Sequence, residues 1–314
     1  MMTLQVCSID DIPRDEWSIL TEDSLFSSPG FTSLWGEFGG KPVFLIMEHQ
    51  GKLQAGMAAV TFGPKYLRRF RSHPESLYGG PFFAHDLTVE DQSRFYQGFA
   101  SYLRMERIIR ADIYNPPADI EMESFERRET SSSIISLHGD SYLPPNKRIR
   151  RYVRHAKREN VKLAILDDGS RLNEIYRLVL ATAKRHNHGS RFSLEFFRRL
   201  LEISLTDARI LWPIILHNDR ITATHIAFVE RDQLLDWQSH TDTDDSSRPN
   251  HLIYDFLIDY ALSHGIKRIN LGGTPVDAAG VSELKARWGG ERSIHSYFTY
   301  FSRLGHIIYG LKRR

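Results

Sequence analysis

Two related α/β lobes, each a mixed twisted sheet flanked by helices, are predicted for this 314-residue chain by three observations. A β-hairpin followed by a helix and then a strand occurs twice, with the two hairpin turns 168 positions apart. A turn-rich stretch with adjacent prolines, LHGDSYLPPNKR, lies between the repeats. Charge is also divided unevenly: residues 1–145 hold 13 basic and 20 acidic side chains, and residues 146–314 hold 28 and 19. An acidic first half and a basic second half suit two lobes of which the second meets an anionic partner.

The first hairpin is KPVFLIMEHQGKLQAGMAAV, two apolar runs joined by His49-Gln50-Gly51-Lys52, where Gly51 supplies the positive φ of a tight turn. The segment DQSRFYQGFASYLRMERIIRADIYN then places Phe95, Phe99, Tyr102 and Leu103 on one helical face ahead of a strand over Ile109–Tyr114. Pro144 and Pro145 end any regular element, which sets the expected lobes at 1–143 and 144–314. Next comes a basic helix, NKRIRRYVRHAKREN, with seven lysines and arginines between Asn146 and Arg158. Ile149, Val153 and Ala156 form its narrow apolar stripe.

Like charges at Arg150/Arg154 and Arg154/Arg158 oppose that helix, and only Glu159 compensates locally. A bound polyanion would relieve the conflict, which makes Arg150, Arg151 and Arg154 candidate phosphate contacts; a solvated face is the competing reading. The second hairpin, ARILWPIILHNDRITATHIAFVE, turns at His217-Asn218-Asp219-Arg220. Its helix carries Leu252, Phe256 and Tyr260 on one face, ends at Gly265, and leads into a strand over Lys267–Leu271. Coincidence between two common units remains the alternative to duplication.

Composition excludes several function classes. With 41% hydrophobic and 25% charged residues the chain is ordinary globular material. The N-terminus lacks the features of a secretory signal, and no apolar run approaches the roughly 18 residues of a membrane helix. A soluble, cytoplasmic protein without a transmembrane segment is therefore expected. The lone Cys7 fits a reducing compartment and rules out an internal disulfide or cysteine-rich zinc site. There is no Walker A sequence, no dinucleotide fingerprint and no Gly-x-Ser-x-Gly elbow. HTDTDDSS lacks the glycine and glutamate of a calcium loop and reads as a solvated loop. His186 and His188 have no zinc-motif partners, so no metal is expected. Aromatic RNA-binding sheet motifs and features for sequence-specific DNA binding are absent as well.

The closing segment, INLGGTPVDAAGVSELKARWGGERSIHSYFTYFSRLGHIIYGLKRR, resembles that of the FemABX aminoacyltransferases, which move amino acids from aminoacyl-tRNA to peptidoglycan precursors. The matching positions are Asp277, Ala279, Gly280 and Val281, then Leu284 and Lys285, Trp288, and Tyr309 to Lys312. Leu284 stands where the family usually has phenylalanine. SLFSSPGFTSLWGEFGGKPVFLIMEHQGKLQAGMAAV, SHPESLYGGPFF and the basic helix are similar to BioF2-like acetyltransferases and FemAB-related GNAT proteins. The resemblance covers nearly the whole chain and implies a tandem GNAT fold, two acetyltransferase-like lobes. The chain has no counterpart to the long helical arm of the enzymes that build interpeptide bridges.

Transfer of the GNAT type needs no enzyme nucleophile, because an amine attacks the donor carbonyl directly. It requires a hold on the donor's phosphates, an acceptor for the amine's proton and stabilisation of the oxyanion. SSRPNHLIYDF opens a helix after a strand over Leu234–Ser239, and the free N–H groups there suit phosphate, with Arg248, Asn250 and His251 as donor-binding candidates. Capping by Ser247 ahead of Pro249 is the structural reading of the same residues.

Lys285 is chosen for the oxyanion, against the alternative of a surface lysine. Asp277 is assigned to orienting or deprotonating the amine, against a plain turn cap. Tyr254 and His240 are weaker candidates for that role, and Trp237, Tyr254 and Trp288 are cleft or acceptor candidates whose alternative is packing.

The expected function is N-acyl transfer to an amine-bearing acceptor, a cell-envelope precursor being one candidate. The donor is acyl-CoA or another small thioester, placed ahead of aminoacyl-tRNA because of the first-lobe resemblance and the missing arm. A non-catalytic RNA- or envelope-binding scaffold is the alternative from another class.

Overall fold

The computed structural model describes residues 3–22, 24–75, 77–114, 124–159, 161–187, 189–274 and 278–311. Its first compact unit comprises Met1–Thr130 with His295–Arg314, and its second Ser131–Ile294.

The first unit begins with β1 (Leu4–Cys7), α1 (Arg14–Thr21) and α2 (Pro29–Ser33). A hairpin of β2 (Gly40–His49) and β3 (Lys52–Phe62) follows, then β4 (Arg68–Arg71) and β5 (Phe82–Phe83). The long helix α3 (Val89–Met105) leads to β6 (Ile108–Tyr114) and to β7 (Phe125–Ser136), which carries the chain into the second unit. Gln50 at φ 51° and Gly51 at φ 73° make the two-residue turn that pairs His49 with Lys52, as the hairpin signal predicts. β3 pairs antiparallel with β4, and β4 runs parallel to β6, the crossover being α3. Phe95, Phe99, Tyr102 and Leu103 of α3 are all buried in the core with Val43, Leu45, Met57 and Ile113.

The second unit starts from α4 (Lys147–Ala156), β8 (Val161–Ile165), α5 (Leu172–Arg185) and α6 (Leu194–Ser204). β9 (Ile210–Leu211), β10 (Pro213–His217), β11 (Arg220–Glu230) and β12 (Gln233–Thr241) come next, followed by α7 (Asn250–Ser263), β13 (Arg268–Asn270) and α8 (Ala279–Arg287). β14 (Glu291–Phe301) returns the chain to the first unit, where α9 (Arg303–Leu311) follows it. Asn218 at φ 51° and Asp219 at φ 58° close the β10–β11 hairpin. β11 and β12 are antiparallel, β12 and β13 parallel, and β13 pairs antiparallel with the end of β7. Both units thus run hairpin, third antiparallel strand, helix, parallel strand.

The expected single boundary at 143/144 differs from these units. Tyr297–Phe301 pair with Tyr114–Arg110 of β6, so the end of the chain supplies a strand to the first unit. The proline stretch is internal to the second unit, where the Tyr142 hydroxyl donates to the Trp288 carbonyl at 2.5 Å.

In α4 the predicted stripe is buried: Ile149 is 1%, Val153 7% and Ala156 0% exposed. Packing of about 1.5–3 kcal/mol for each large aliphatic outweighs like-charge pairs that cost a few tenths of a kcal/mol each. For α7 the predicted face needs correcting. Leu252 is buried, but Phe256 and Tyr260 only border the core, which takes Ile253, Leu257, Ile258 and Ala261 instead. The reason is that α7 packs against α4 as well as against β10–β13, so it is apolar nearly all round and carries little directional signal.

In the acidic loop Thr243, Asp244 and Ser246 are exposed, in keeping with the solvated reading, and Asp245 is the departure from it. The Asp245 side chain is only 4% exposed; it lies 3.1 Å from His217 Nδ1 and accepts the Ser247 N–H.

Candidate active site

β12 pairs with β13 only over Gln233–Leu235, whereas β12 continues to Thr241. From Asp236 onward its edge is therefore open on that side. Opposite it, Gly272 at φ 73° begins a turn whose carbonyl, with that of Gly273, accepts hydrogen bonds from Lys285 Nζ at 3.0 and 2.8 Å. Lys285 is 6% exposed. Burial, partly offset by the Asp236 carboxylate, brings its pKa down to about 8. An ammonium so placed holds the turn and puts a buried positive charge near Asp236, beside the wedge that opens between β12 and this turn. Across the β11–β12 ladder the register shifts so that Ile226 opposes Gln238 and Ala227 opposes Asp236. Trp237 is the extra residue, and such a bulge takes a backbone group out of the ladder.

Beneath the wedge lies a polar network within otherwise apolar strands. His225, fully buried on β11, has Nδ1 2.8 Å from Asp236 Oδ1 and Nε2 2.5 Å from Asn250 Oδ1. Ser239 Oγ lies 2.9 Å from His225 Nε2 and donates to Asn250 Oδ1 at 3.2 Å, and Thr241 Oγ1 donates to the same oxygen at 3.1 Å. Burial alone would lower the His225 pKa, but the Asp236 carboxylate and Asn250 raise it above its ordinary value. Tyr254, packed edge-on against His225, is pushed well above the usual phenol range by burial and by its hydrogen bond with Asp236.

Trp288 is fully buried between the rings of Tyr254 and His251. On its other side His251 meets Tyr152 of α4, and burial followed by the nearby Arg248 charge lowers its pKa to about 4. Arg248 stands 4.0 Å above the Tyr152 ring. Here a surface cavity of about 450 Å³ is lined by Arg151, Tyr152, Arg154, His155, Arg158 and Arg248. None of these four arginines joins an ion pair among the described residues. The cavity adjoins the start of α7, which has Pro249 at its N-cap and no side-chain cap. Ser247 therefore does not cap the helix; it is 0% exposed and its hydroxyl has no partner among the described residues.

Of the residues singled out in the sequence, Arg248, Arg151 and Arg154 converge on this cavity, while Arg150 is not among its walls. Asn250 and His251 flank it from within, the first in the polar network and the second in the ring stack. Lys285, Trp288 and Tyr254 lie together deeper in the unit. Trp237 packs instead with Phe192, Phe196 and Phe228. His240 is 8% exposed, and burial followed by the His225 and Arg185 charges lowers it to about 4. Asp277 and His188 lie outside the described residues.

Sequence reasoning missed Arg158, His225, Asp236 and Ser239. Arg158 lies beyond the regular helix, but the signal for the others was present as charged and polar residues inside apolar strands, THIAF and LLDWQSH. Among the described residues no group of His, Cys, Asp or Glu could hold a metal ion, and no helix is long and apolar enough to cross a membrane.

Residues 146–285, the span that holds this wedge and cavity, match the family model described as acetyltransferase (GNAT) domain. That span is a GNAT domain. By class the chain is an acyltransferase, and both its units have the GNAT-like fold. The structure of FemX is similar to it at TM-score 0.73 and 13% identity, covering 99% of this chain and 100% of that one. The C-terminal domain of a putative lysylphosphatidylglycerol synthetase from Agrobacterium fabrum is similar at TM-score 0.61 and 11% identity, over 95% and 94% of the two chains. A tandem GNAT protein from the clavulanic acid biosynthesis pathway is similar at TM-score 0.54 and 10% identity, over 96% and 98%. No curated protein sequence matches. The GNAT domain thus takes in α4, the cavity, the polar network and Lys285.

Proposed function

We propose that this protein transfers an acyl group from a phosphate-bearing activated donor, acyl-CoA or another small thioester, to the amine of an acceptor. The observation that carries this reading is the convergence of Arg151, Arg154, Arg158 and Arg248, without carboxylate partners, on the uncapped start of α7. Guanidinium groups gathered at the positive end of a helix dipole are chemistry that binds phosphate. The open edge of β12 beyond Leu235 gives an extended donor arm backbone groups to bond on its way to the wedge.

There a neutral amine attacks the donor carbonyl, forming a C–N bond and an oxyanion. Collapse expels the thiolate, and the amine's proton leaves with the departing group or to a base. The Lys285 ammonium and the backbone group freed at the Trp237 bulge supply the charge and the donor for the oxyanion. Tyr254 stays protonated at neutral pH and so supports Asp236 rather than serving as base.

A second reading, aminoacyl-tRNA as donor and a cell-envelope precursor or metabolite as acceptor, is favoured by one feature. α4 carries Lys147, Arg148 and Arg150 in addition to the cavity arginines, more cationic surface than a small donor occupies.

Equilibrium binding of acetyl-CoA, uncharged tRNA and charged tRNA at 50 and 200 mM salt decides between them. Saturable CoA binding with modest salt response supports the small-donor reading. If four phosphate contacts to a single strand are made instead, affinity for charged tRNA falls roughly fifty-fold between those salts. Binding of neither ligand overturns both readings and leaves a scaffold role.

A further inference from the structure

The polar network on β11 and β12 is not needed to hold the strands, whose ladder bonds are already made, yet it places an ionisable pair in the core. His225 is 0% and Asp236 7% exposed, so His225 touches no ligand and any influence on the reaction passes through what it holds. What it holds is Asn250, the first residue of α7. A polar residue at the start of a helix commonly turns outward to solvent or caps the backbone. Asn250 instead points its Oδ1 into the sheet, where His225 Nε2, Ser239 Oγ and Thr241 Oγ1 converge on that one oxygen at 2.5, 3.2 and 3.1 Å. Three donors to a single acceptor fix its position tightly.

The neighbouring residues of this turn are held from other directions. Arg248 lies on the Tyr152 ring, and the His251 ring lies between Tyr152 and Trp288. The segment that begins α7 is thereby gripped on one side by α4 and Trp288 and on the other by β11 and β12. Such fixing before a ligand arrives is what an anion site made of arginines around a helix start needs, because charge-assisted hydrogen bonds to phosphate depend on direction.

We propose that His225, oriented by Asp236, is a positioning residue that locks Asn250 and so holds the first turn of α7 in the geometry that receives the donor's phosphates. This rests on the donor-site reading given above. It assigns the His225–Asp236 couple to donor binding through Asn250, not to proton transfer from the acceptor.

The test is calorimetric binding of inorganic pyrophosphate to the full chain, with thermal unfolding measured in parallel. Asn250→Ala and His225→Leu should each weaken pyrophosphate binding about ten-fold, and the double variant no further, since both break one link. His225→Gln, whose amide N–H can still reach Asn250, should return affinity to within about two-fold of the wild type. A purely structural role would lower the unfolding temperature of His225→Gln and leave affinity alone in every variant that folds. If His225→Leu does not fold, the contrast between Asn250→Ala and His225→Gln decides. Wild-type affinity in Asn250→Ala overturns the proposal while leaving the donor site intact. A wild-type protein that binds no pyrophosphate brings down the donor-site reading and this proposal with it.

Discussion

The first turns of α3 and α7 occupy the same place in the hairpin–helix–strand series of their units, and they are built oppositely. Thr88 caps α3 by accepting the Asp91 N–H, and Glu90 and Asp91 fill the first turn. α7 has no side-chain cap and no acid in its first turn, and Arg248 precedes it. The strands differ in the same sense. From Leu53 to Val60 the buried side chains of β3 are all apolar, with Thr61 buried at its end, whereas β11 buries Thr222, Thr224 and His225 among its apolar residues. One fold thus appears twice, but a threonine side chain caps the helix in the first unit, whereas in the second the His251 and Leu252 N–H groups donate to the Arg248 and Pro249 carbonyls and the surrounding charge is cationic. Repetition of architecture does not repeat a site, which depends on a few residues at the ends of elements.

The largest effect that would sharpen this contrast comes from the cavity. Replacing Arg151, Arg154 and Arg248 together with glutamine should lower donor affinity at least a hundred-fold, at about 1.5–3 kcal/mol for each charged hydrogen bond lost; titration of acetyl-CoA and of charged tRNA reads it. Glu90→Gln with Asp91→Asn in α3 should leave that affinity unchanged, and a change there would break the comparison.

Lys285→Met should reduce turnover by roughly a hundred- to a thousand-fold if its charge meets the oxyanion. Wild-type activity should then fall as pH rises through about 8, where the ammonium loses its proton. Stability should move the other way. Between about 8 and the ordinary 10.5 the unfolded chain keeps a proton that the folded chain has released, so the Lys285 contribution grows with pH in that window. Denaturant titrations of wild type and Lys285→Met at pH 7.5 and 9.5 measure this; equal pH slopes would remove the buried-ammonium account.

Smaller effects separate the two helix starts directly. Thr88→Ala should cost about 1 kcal/mol of stability through the lost cap, with no effect on donor binding. Ser247→Ala should leave donor affinity nearly unchanged, because the residue is fully buried and is not among the walls of the cavity.

Acid provides the last test. Burial lowers His240 and His251 to about 4, so the unfolded chain takes up protons first as pH falls below 6.5, and the stability held by these neutral rings is lost between 6.5 and 4. A His251→Phe variant should show a shallower acid slope in thermal unfolding.

Local rules made much of the fold legible. Gln50-Gly51 and Asn218-Asp219 mark both hairpins, the α3 stripe marks its buried face, and Ile149, Val153 and Ala156 mark how α4 docks. The face of α7 was illegible because both its sides are covered, which erases periodicity. The unit boundaries were illegible because they depend on β14 pairing with β6 across about 185 residues of chain, and pairing leaves no mark in either segment alone. At the site, charge clustering pointed to Arg151, Arg154 and Arg248. His225 and Asp236 escaped because a buried pair resembles two isolated polar residues until the β11–β12 register sets them 2.8 Å apart.

β14 has a consequence for how the protein is made. Residues 295–301 complete the sheet of a unit that otherwise ends near residue 130, so that unit waits while the ribosome adds the whole of the second one. At about 5–20 residues per second the delay is on the order of 10 to 30 seconds. Through that interval β6 presents an unpaired edge to the crowded cell, and the second unit, encoded later, is the first to have all its strands.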